Sequence, residues 1–238
     1  MNPSRNLIIN SKATHPVAFF FGPMACLGAL LVLCLAGSAL AGPWRVTVEA
    51  VLDGDTLVLA GGERLRLRGI DAPEVSRKGK VGQYYGRISA QCLAALVSGR
   101  ALTLDREELD TDRYGRLVGV ARLADGRIVN LLMIEQGAAF VYPHQSDRDQ
   151  ALAGRLLAAQ AAAMAGGKGF WPEVLDSSGA RAGFVGTKNS RRFHTLSCAQ
   201  GRKISADNRV HFSSLREAFL AGYAPARECT SWPIDAGR

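Results

Sequence analysis

Acidic side chains are missing from the first 41 residues, histidine is missing from residues 16–143, and only three of the five cysteines lie beyond residue 41. Each shortage removes a reading. A stretch with Arg5 and Lys12, no acid, an apolar run from Val17 to Leu40 and a closing Ser38-Ala39-Leu40-Ala41 does not begin a folded domain. Its order, basic then apolar then small-x-small, is that of a secretory signal cut after Ala41. An uncleaved membrane anchor with its basic flank inside is the alternative. Gly37 and Ser38 interrupt the apolar run and favour cleavage, so the expectation is export to the periplasm or the exterior, with no stable membrane association afterwards. The histidine gap covers the chain's acidic motifs and speaks against zinc there. Three remaining thiols, Cys92, Cys198 and Cys229, cannot all pair with one another.

What is present is an ordinary globular content, 47% hydrophobic over 238 residues, which excludes disorder throughout and allows one well-buried domain plus a smaller unit. Without residues 1–41 the chain keeps 27 Lys and Arg against 21 acids, a net charge of about +6. A basic surface attracts polyanions, and nucleic acid, anionic lipid and acidic glycan are equal candidates on charge alone.

Short alternating runs dominate from Trp44 to Val129: Arg45–Val51, Thr56–Ala60, Arg64–Ile70, Ala101–Leu109 and Arg116–Leu123, with Gly61-Gly62 and Asp125-Gly126 as turns. Three helices are expected. One spans Gln83–Val97, with Cys92 beside its apolar face as a small core residue. Another, Leu131–Gln136, is capped by Asn130 and ended by Gly137. The last, Asp149–Ala165, stops at Gly166-Gly167. Five strands with helices between and after them give an α+β, mainly β fold, a five-stranded OB-type barrel with three helices. Residues 174–183, around Asp176-Ser177-Ser178-Gly179, read as a linker to a small basic unit at 184–232.

Three blocks carry chemistry. In Arg64-Leu65-Arg66-Leu67-Arg68, alternation sends the leucines to one face and the arginines to the other. Arg64 and Arg68 read as solvated, whereas Arg66 is followed at its strand end by Asp71, Pro73 and Glu74. Asp53-Gly54-Asp55 alone is a turn signature. If Asp55, Asp71 and Glu74 converge, their repulsion calls for a cation or arginine between them, and an oxygen-only donor set suits calcium or magnesium.

Val51-Leu52-Asp53-Gly54-Asp55-Thr56, Arg66-Leu67-Arg68-Gly69-Ile70-Asp71-Ala72-Pro73-Glu74 and Asp112-Arg113-Tyr114-Gly115-Arg116 resemble the thermonuclease family, the staphylococcal-nuclease-like domains, in order and approximate spacing. The likeness runs over about residues 44–173, to Gly169-Phe170-Trp171-Pro172. It implies calcium on Asp55, Asp71 and the Ala72 backbone carbonyl. It also implies Arg66 and Arg116 on the scissile phosphate, Glu74 as general base toward water, and cleavage of DNA or RNA to 3′-phosphates. Arg113, Lys78 and Lys80 would touch the substrate backbone, Arg77 lying in the same basic loop; Tyr114 and Tyr142 would stack on bases. A barrel that binds nucleic acid without cutting it is the rival class, and the presence of every matched acid and arginine weighs against it.

Beyond the linker, Phe184 to Ser190, Phe193-His194, Cys198, Gly222-Tyr223-Ala224-Pro225 and Cys229 resemble the small Ada-like metal-binding modules, with Ala226 where those modules carry a cysteine. His194, Cys198 and Cys229 would hold Zn2+ with His211 or water as fourth ligand, or the two cysteines would form a disulfide; the residues leave both open.

Overall fold

Leucines on alternate positions of Arg64–Leu67 are fully buried while Arg64 is exposed, and that period-two pattern sets the inside of the sheet. In the computed structural model, residues 42–79, 81–142, 149–227, 229 and 232 are described. The expected signal segment and cleavage point, residues 1–41, and Lys80 lie outside the described residues. Strands β1 (Trp44–Val51), β2 (Thr56–Leu59), β3 (Arg64–Leu67) and the two-residue β4 (Ile70–Asp71) come first, then helix α1 (Gly86–Val97). β5 (Ala101–Leu104), β6 (Asp110–Thr111) and β7 (Leu117–Gly119) follow, then α2 (Val129–Glu135), β8 (Phe140–Val141) and α3 (Gln150–Ala165).

The six-stranded sheet has the order β5-β1-β2-β3-β7-β6. It curls on itself: Thr103 in β5 and Arg122, just after β7, exchange backbone hydrogen bonds of 2.8 and 3.0 Å, closing the barrel. The fold is therefore the expected OB type, α+β with more strands than helices. The long expected strands are shorter. Arg64–Ile70 breaks at a turn on Arg68-Gly69, Gly69 having φ +76°, and so hands Ile70-Asp71 to a separate pair with β8. Ala101–Leu109 ends in a 3-10 turn at Arg106–Glu108.

Two further expectations change. Asn130 does not cap α2, which begins after Ile128; it is fully buried inside the first turn, where Oδ1 accepts from the Ala121 amide at 3.0 Å and Nδ2 donates to the Arg68 and Gly119 carbonyls at 2.9 and 3.3 Å. A side chain with that many backbone partners ties helix to barrel rather than trimming a helix end. Arg68 is not solvated: it donates to the Glu108 and Val118 carbonyls at 2.7 and 3.0 Å and pairs with Asp110 at 2.8 Å. Cys92 is half-buried against the core, and burial pushes its thiol pKa up.

After α3, helix α4 (Trp171–Asp176) occupies the beginning of the expected linker, and Val174 and Ala180 are buried. Strands β9 (Phe184–Thr187), β10 (Arg192–Thr195), β11 (Arg209–Phe212) and β12 (Ala224–Pro225) form a second sheet of order β11-β9-β10-β12, with the short helices α5 (Ala199–Arg202) and α6 (Leu215–Leu220) between them. From residue 41 onward the chain is one compact unit. Its second core is aromatic, Phe140, Phe170 and Trp171 from the barrel side meeting Phe193 of β10, Phe219 of α6 and Trp232 beyond β12. Phe140 lies 5.7 Å from Phe219 and Trp171 lies 4.9 Å from Phe219, both edge-on as ring quadrupoles prefer. Among the described residues no helix is long and apolar enough to cross a membrane.

Candidate active site

Asp55 sits in the turn between β1 and β2, and Asp71 ends β4; β3 passes between them in sequence and supplies Arg66. The turn is tight because Gly54 has no side chain: a Cβ there would overlap Ser89 Oγ and crowd the Ala72 methyl. Asp55 is 3% exposed and Asp71 is 1% exposed. Arg66 bridges them, Nη1 to Asp55 Oδ1 at 2.6 Å and Nη2 to Asp71 Oδ1 at 2.7 Å. The second Asp55 oxygen accepts from the Ala72 amide at 2.9 Å, and Oδ1 also accepts from the Thr56 hydroxyl at 2.8 Å.

Glu74 stands three residues beyond Asp71 on a braced backbone. Its amide donates to Gln83 Oε1 at 2.8 Å and its carbonyl accepts from the Gln83 amide at 2.8 Å. Gly86 is required at the start of α1 because a Cβ would overlap the Glu74 carbonyl oxygen. Gln83 and Gly86 position Glu74, and neither is singled out by the acid and arginine motifs.

The three carboxylates are joined through guanidiniums. Arg227, from the segment after β12, pairs with Asp71 Oδ1 at 2.6 Å and with Glu74 Oε1. Burial pushes the Asp71 carboxyl pKa up, the Asp55 charge adds to this, and Arg66 and Arg227 oppose both. For Arg66, burial lowers the pKa but attraction to Asp55 and Asp71 outweighs it and drives the value up. Three carboxylates, Asp55, Asp71 and Glu74, against two guanidiniums leave one negative charge in excess, and an oxygen donor set of that charge fits a divalent cation chemically. Arg227 competes for the same Asp71 oxygen.

The remaining expected residues spread over a cleft of about 920 Å3, lined among others by Asp53, Asp55, Arg66, Ala72, Glu74, Arg77, Arg113, Tyr114, Arg116 and Tyr142. Arg116 faces it with its head held by Asp112, Nε at 2.8 Å and Nη2 at 2.7 Å. Tyr114 is 67% exposed, with Arg113 and Arg116 at its ring, 4.8 and 5.4 Å from the centre. Tyr142 is half-buried, and the Arg192 guanidinium lies 3.4 Å from its ring centre, so one face is covered by a cation. Lys78 is exposed on the loop and does not line the cleft, whereas Arg77 does and pairs with Asp53 at 3.0 Å.

Cys198, at the start of α5, and Cys229, after β12, form a disulfide with Cα atoms 5.6 Å apart, and His194 Nδ1 of β10 lies 3.4 Å from Cys198 Sγ. Among the described residues these three alone bring a His/Cys/Asp/Glu set of ligand atoms within 4.8 Å of one another. The oxidised pair resolves the open choice in this structure toward the disulfide.

Residues 64–173 match the family model described as staphylococcal nuclease homologue. The succinoglycan biosynthesis protein ExoI of Rhizobium meliloti (strain 1021) is 38% identical over 171 residues, covering 70% of this chain and 84% of its own length. The chain belongs to the staphylococcal nuclease homologue family. An uncharacterized endonuclease of Escherichia coli O157:H7 is 41% identical over 98 residues, 40% of this chain and 59% of the relative. Endonuclease YhcR of Bacillus subtilis (strain 168) is 28% identical over 207 residues, 76% of this chain but 17% of the relative. Membership makes this nuclease-like chain a phosphodiester hydrolase by class. Its matched region ends at residue 173, ahead of the sheet that delivers Arg192 and Arg227.

Proposed function

We propose that the protein is an exported, calcium-dependent nuclease that hydrolyses DNA or RNA and leaves 3′-phosphates. The observation that carries this reading is the pair of buried carboxylates, Asp55 and Asp71, locked on Arg66 beside Glu74 in a cleft rich in arginine. Asp55, Asp71 and the Ala72 carbonyl would hold calcium, which supplies positive charge next to the phosphate and lowers the cost of charge building on its oxygens. Arg66 and Arg116 bind those oxygens, and Arg is suited to this because its planar fork engages two of them at once. Glu74 takes the proton from an attacking water. It can do so once its carboxylate is released from Arg227, so substrate and metal binding must draw that guanidinium away.

Degradation of single-stranded DNA and of RNA, with calcium and with excess chelator, tests this reading. Cleavage with calcium and none with chelator is expected, and phosphatase-sensitive 3′ ends on the fragments identify the bond broken. Salt-sensitive binding that ignores calcium, with no fragments, would instead support a non-catalytic barrel. The Ada-like reading concerns the reduced protein: His194, Cys198 and Cys229 would take zinc once the disulfide is opened, and zinc content after reduction measures it.

A further inference from the structure

The far wall of the cleft is built by the C-terminal segment, which brings Arg192, His194, Pro225, Arg227 and Cys229 to it. Its two arginines differ in their partners. Arg227 pairs with Asp71 and Glu74, whereas Arg192 pairs with no carboxylate among the described residues. The Arg192 guanidinium rests over the Tyr142 ring and, among the described residues, donates to the Pro225 carbonyl at 3.5 Å. Arg66, the arginine assigned to the scissile phosphate, is 5.5 Å from that same ring centre. Arg192 is also fixed in place. It opens β10, pairs in register with Ala224 of β12, and leads to Phe193, which is fully buried, while the Cys198–Cys229 disulfide ties the two ends of this wall.

A half-buried guanidinium with no carboxylate in contact loses hydration and gains only the more distant attraction of Asp71, set against repulsion from Arg227 and Arg66, a cost that an incoming phosphate removes. We propose that Arg192 is a second phosphate subsite, binding the phosphodiester next to the scissile one on a single strand of nucleic acid. The proposal rests on the nuclease reading and adds to it: the barrel binds the bond to be cut, and the C-terminal sheet binds its neighbour. Tyr142 serves there as the platform that holds the Arg192 guanidinium.

The test is fluorescence anisotropy in excess chelator, with fluorescein-labelled thymidine dinucleotide, which has one phosphodiester, and trinucleotide, which has two. Arg192→Met keeps an unbranched apolar side chain and removes the charge; Arg192→Lys restores the charge, and thermal melting of both confirms the fold. Arg192→Met should weaken trinucleotide binding about tenfold and flatten its log Kd against log salt slope by about 0.7, as loss of one single-strand phosphate contact requires. Dinucleotide binding should change less than twofold, and Arg192→Lys should recover part of the loss. Equal weakening for both lengths, or none for either, overturns the subsite, as does a wild type that binds neither strand. A wild type that binds with this length dependence but does not cut with calcium sinks the nuclease reading instead. Cutting by the wild type together with unchanged trinucleotide binding by Arg192→Met sinks the subsite alone.

Discussion

Asp112 shows how one carboxylate fixes one catalytic candidate. Burial pushes its pKa up, but hydrogen bonds from the Arg116 side chain and from the Arg116 and Tyr114 amides outweigh this and bring it below the ordinary value. An acid whose folded pKa is depressed adds stability above its unfolded pKa, near 3.9, and loses it as pH falls through the lower folded value. Urea unfolding of wild type and Asp112→Asn should therefore differ at pH 7, with the difference shrinking as pH falls below the unfolded pKa, and a constant difference down to strongly acidic pH would contradict the assignment. Gln83→Ala removes the acceptor of the Glu74 amide, so kcat should fall about tenfold with KM little changed if Glu74 is the proposed base, since the effect is then on its placement rather than on binding. The acids and Arg66 were legible in the sequence because their motif is local and their alternation is regular. Gly54, Gln83 and Gly86 were not, because their roles are close approaches that only the folded backbone creates.

The strands and helices followed from periodicity in kind more than in length. β3 and β4 read as one run in sequence, since nothing in Arg64–Ile70 signals that Gly69 would turn and send Ile70 and Asp71 to β8. That turn is what aims Asp71 back at Asp55. Asn130 read as a helix cap because the pattern fits, yet burial made it a crosslink between α2 and the barrel. Gln160 on α3 has the same character: fully buried, it accepts from the Val141 amide at 2.7 Å and donates to the Phe219 carbonyl at 2.8 Å, joining β8 to α6. Gln160→Leu leaves a buried amide and a buried carbonyl unsatisfied, a cost of about 2–4 kcal/mol. Thermal and urea melts should show that loss, and an unchanged midpoint would mean the two groups find other partners.

Seen as a whole, the molecule is a barrel nuclease whose cleft is completed by a sheet outside the matched region. Composition indicated a basic chain and a second unit, but charge alone does not say where arginines land, and Arg192 and Arg227 reach the cleft through pairing of β10 with β12. Ala226 in place of a metal-ligand cysteine left zinc and disulfide open in the sequence; in the structure the two sulfurs are bonded to each other, with His194 beside them. That bond closes a loop of 31 residues, and such crosslinks contribute about 2–4 kcal/mol. Reduction with a thiol should lower the melting temperature and, by loosening the wall, lower affinity for longer strands more than for dinucleotide. Equal melting of oxidised and reduced protein would deny the disulfide that role.

In the proposed reaction Glu74 removes a proton beside the Asp55–Arg66–Asp71 cluster, and single-turnover cleavage of labelled single-stranded DNA by wild type and Glu74→Gln, in calcium and with affinity measured on the same samples, tests that most directly. The expected result is a cleavage rate lower by about 10²–10⁴-fold in the variant with strand affinity retained. Cleavage by Glu74→Gln at near the wild-type rate would contradict it.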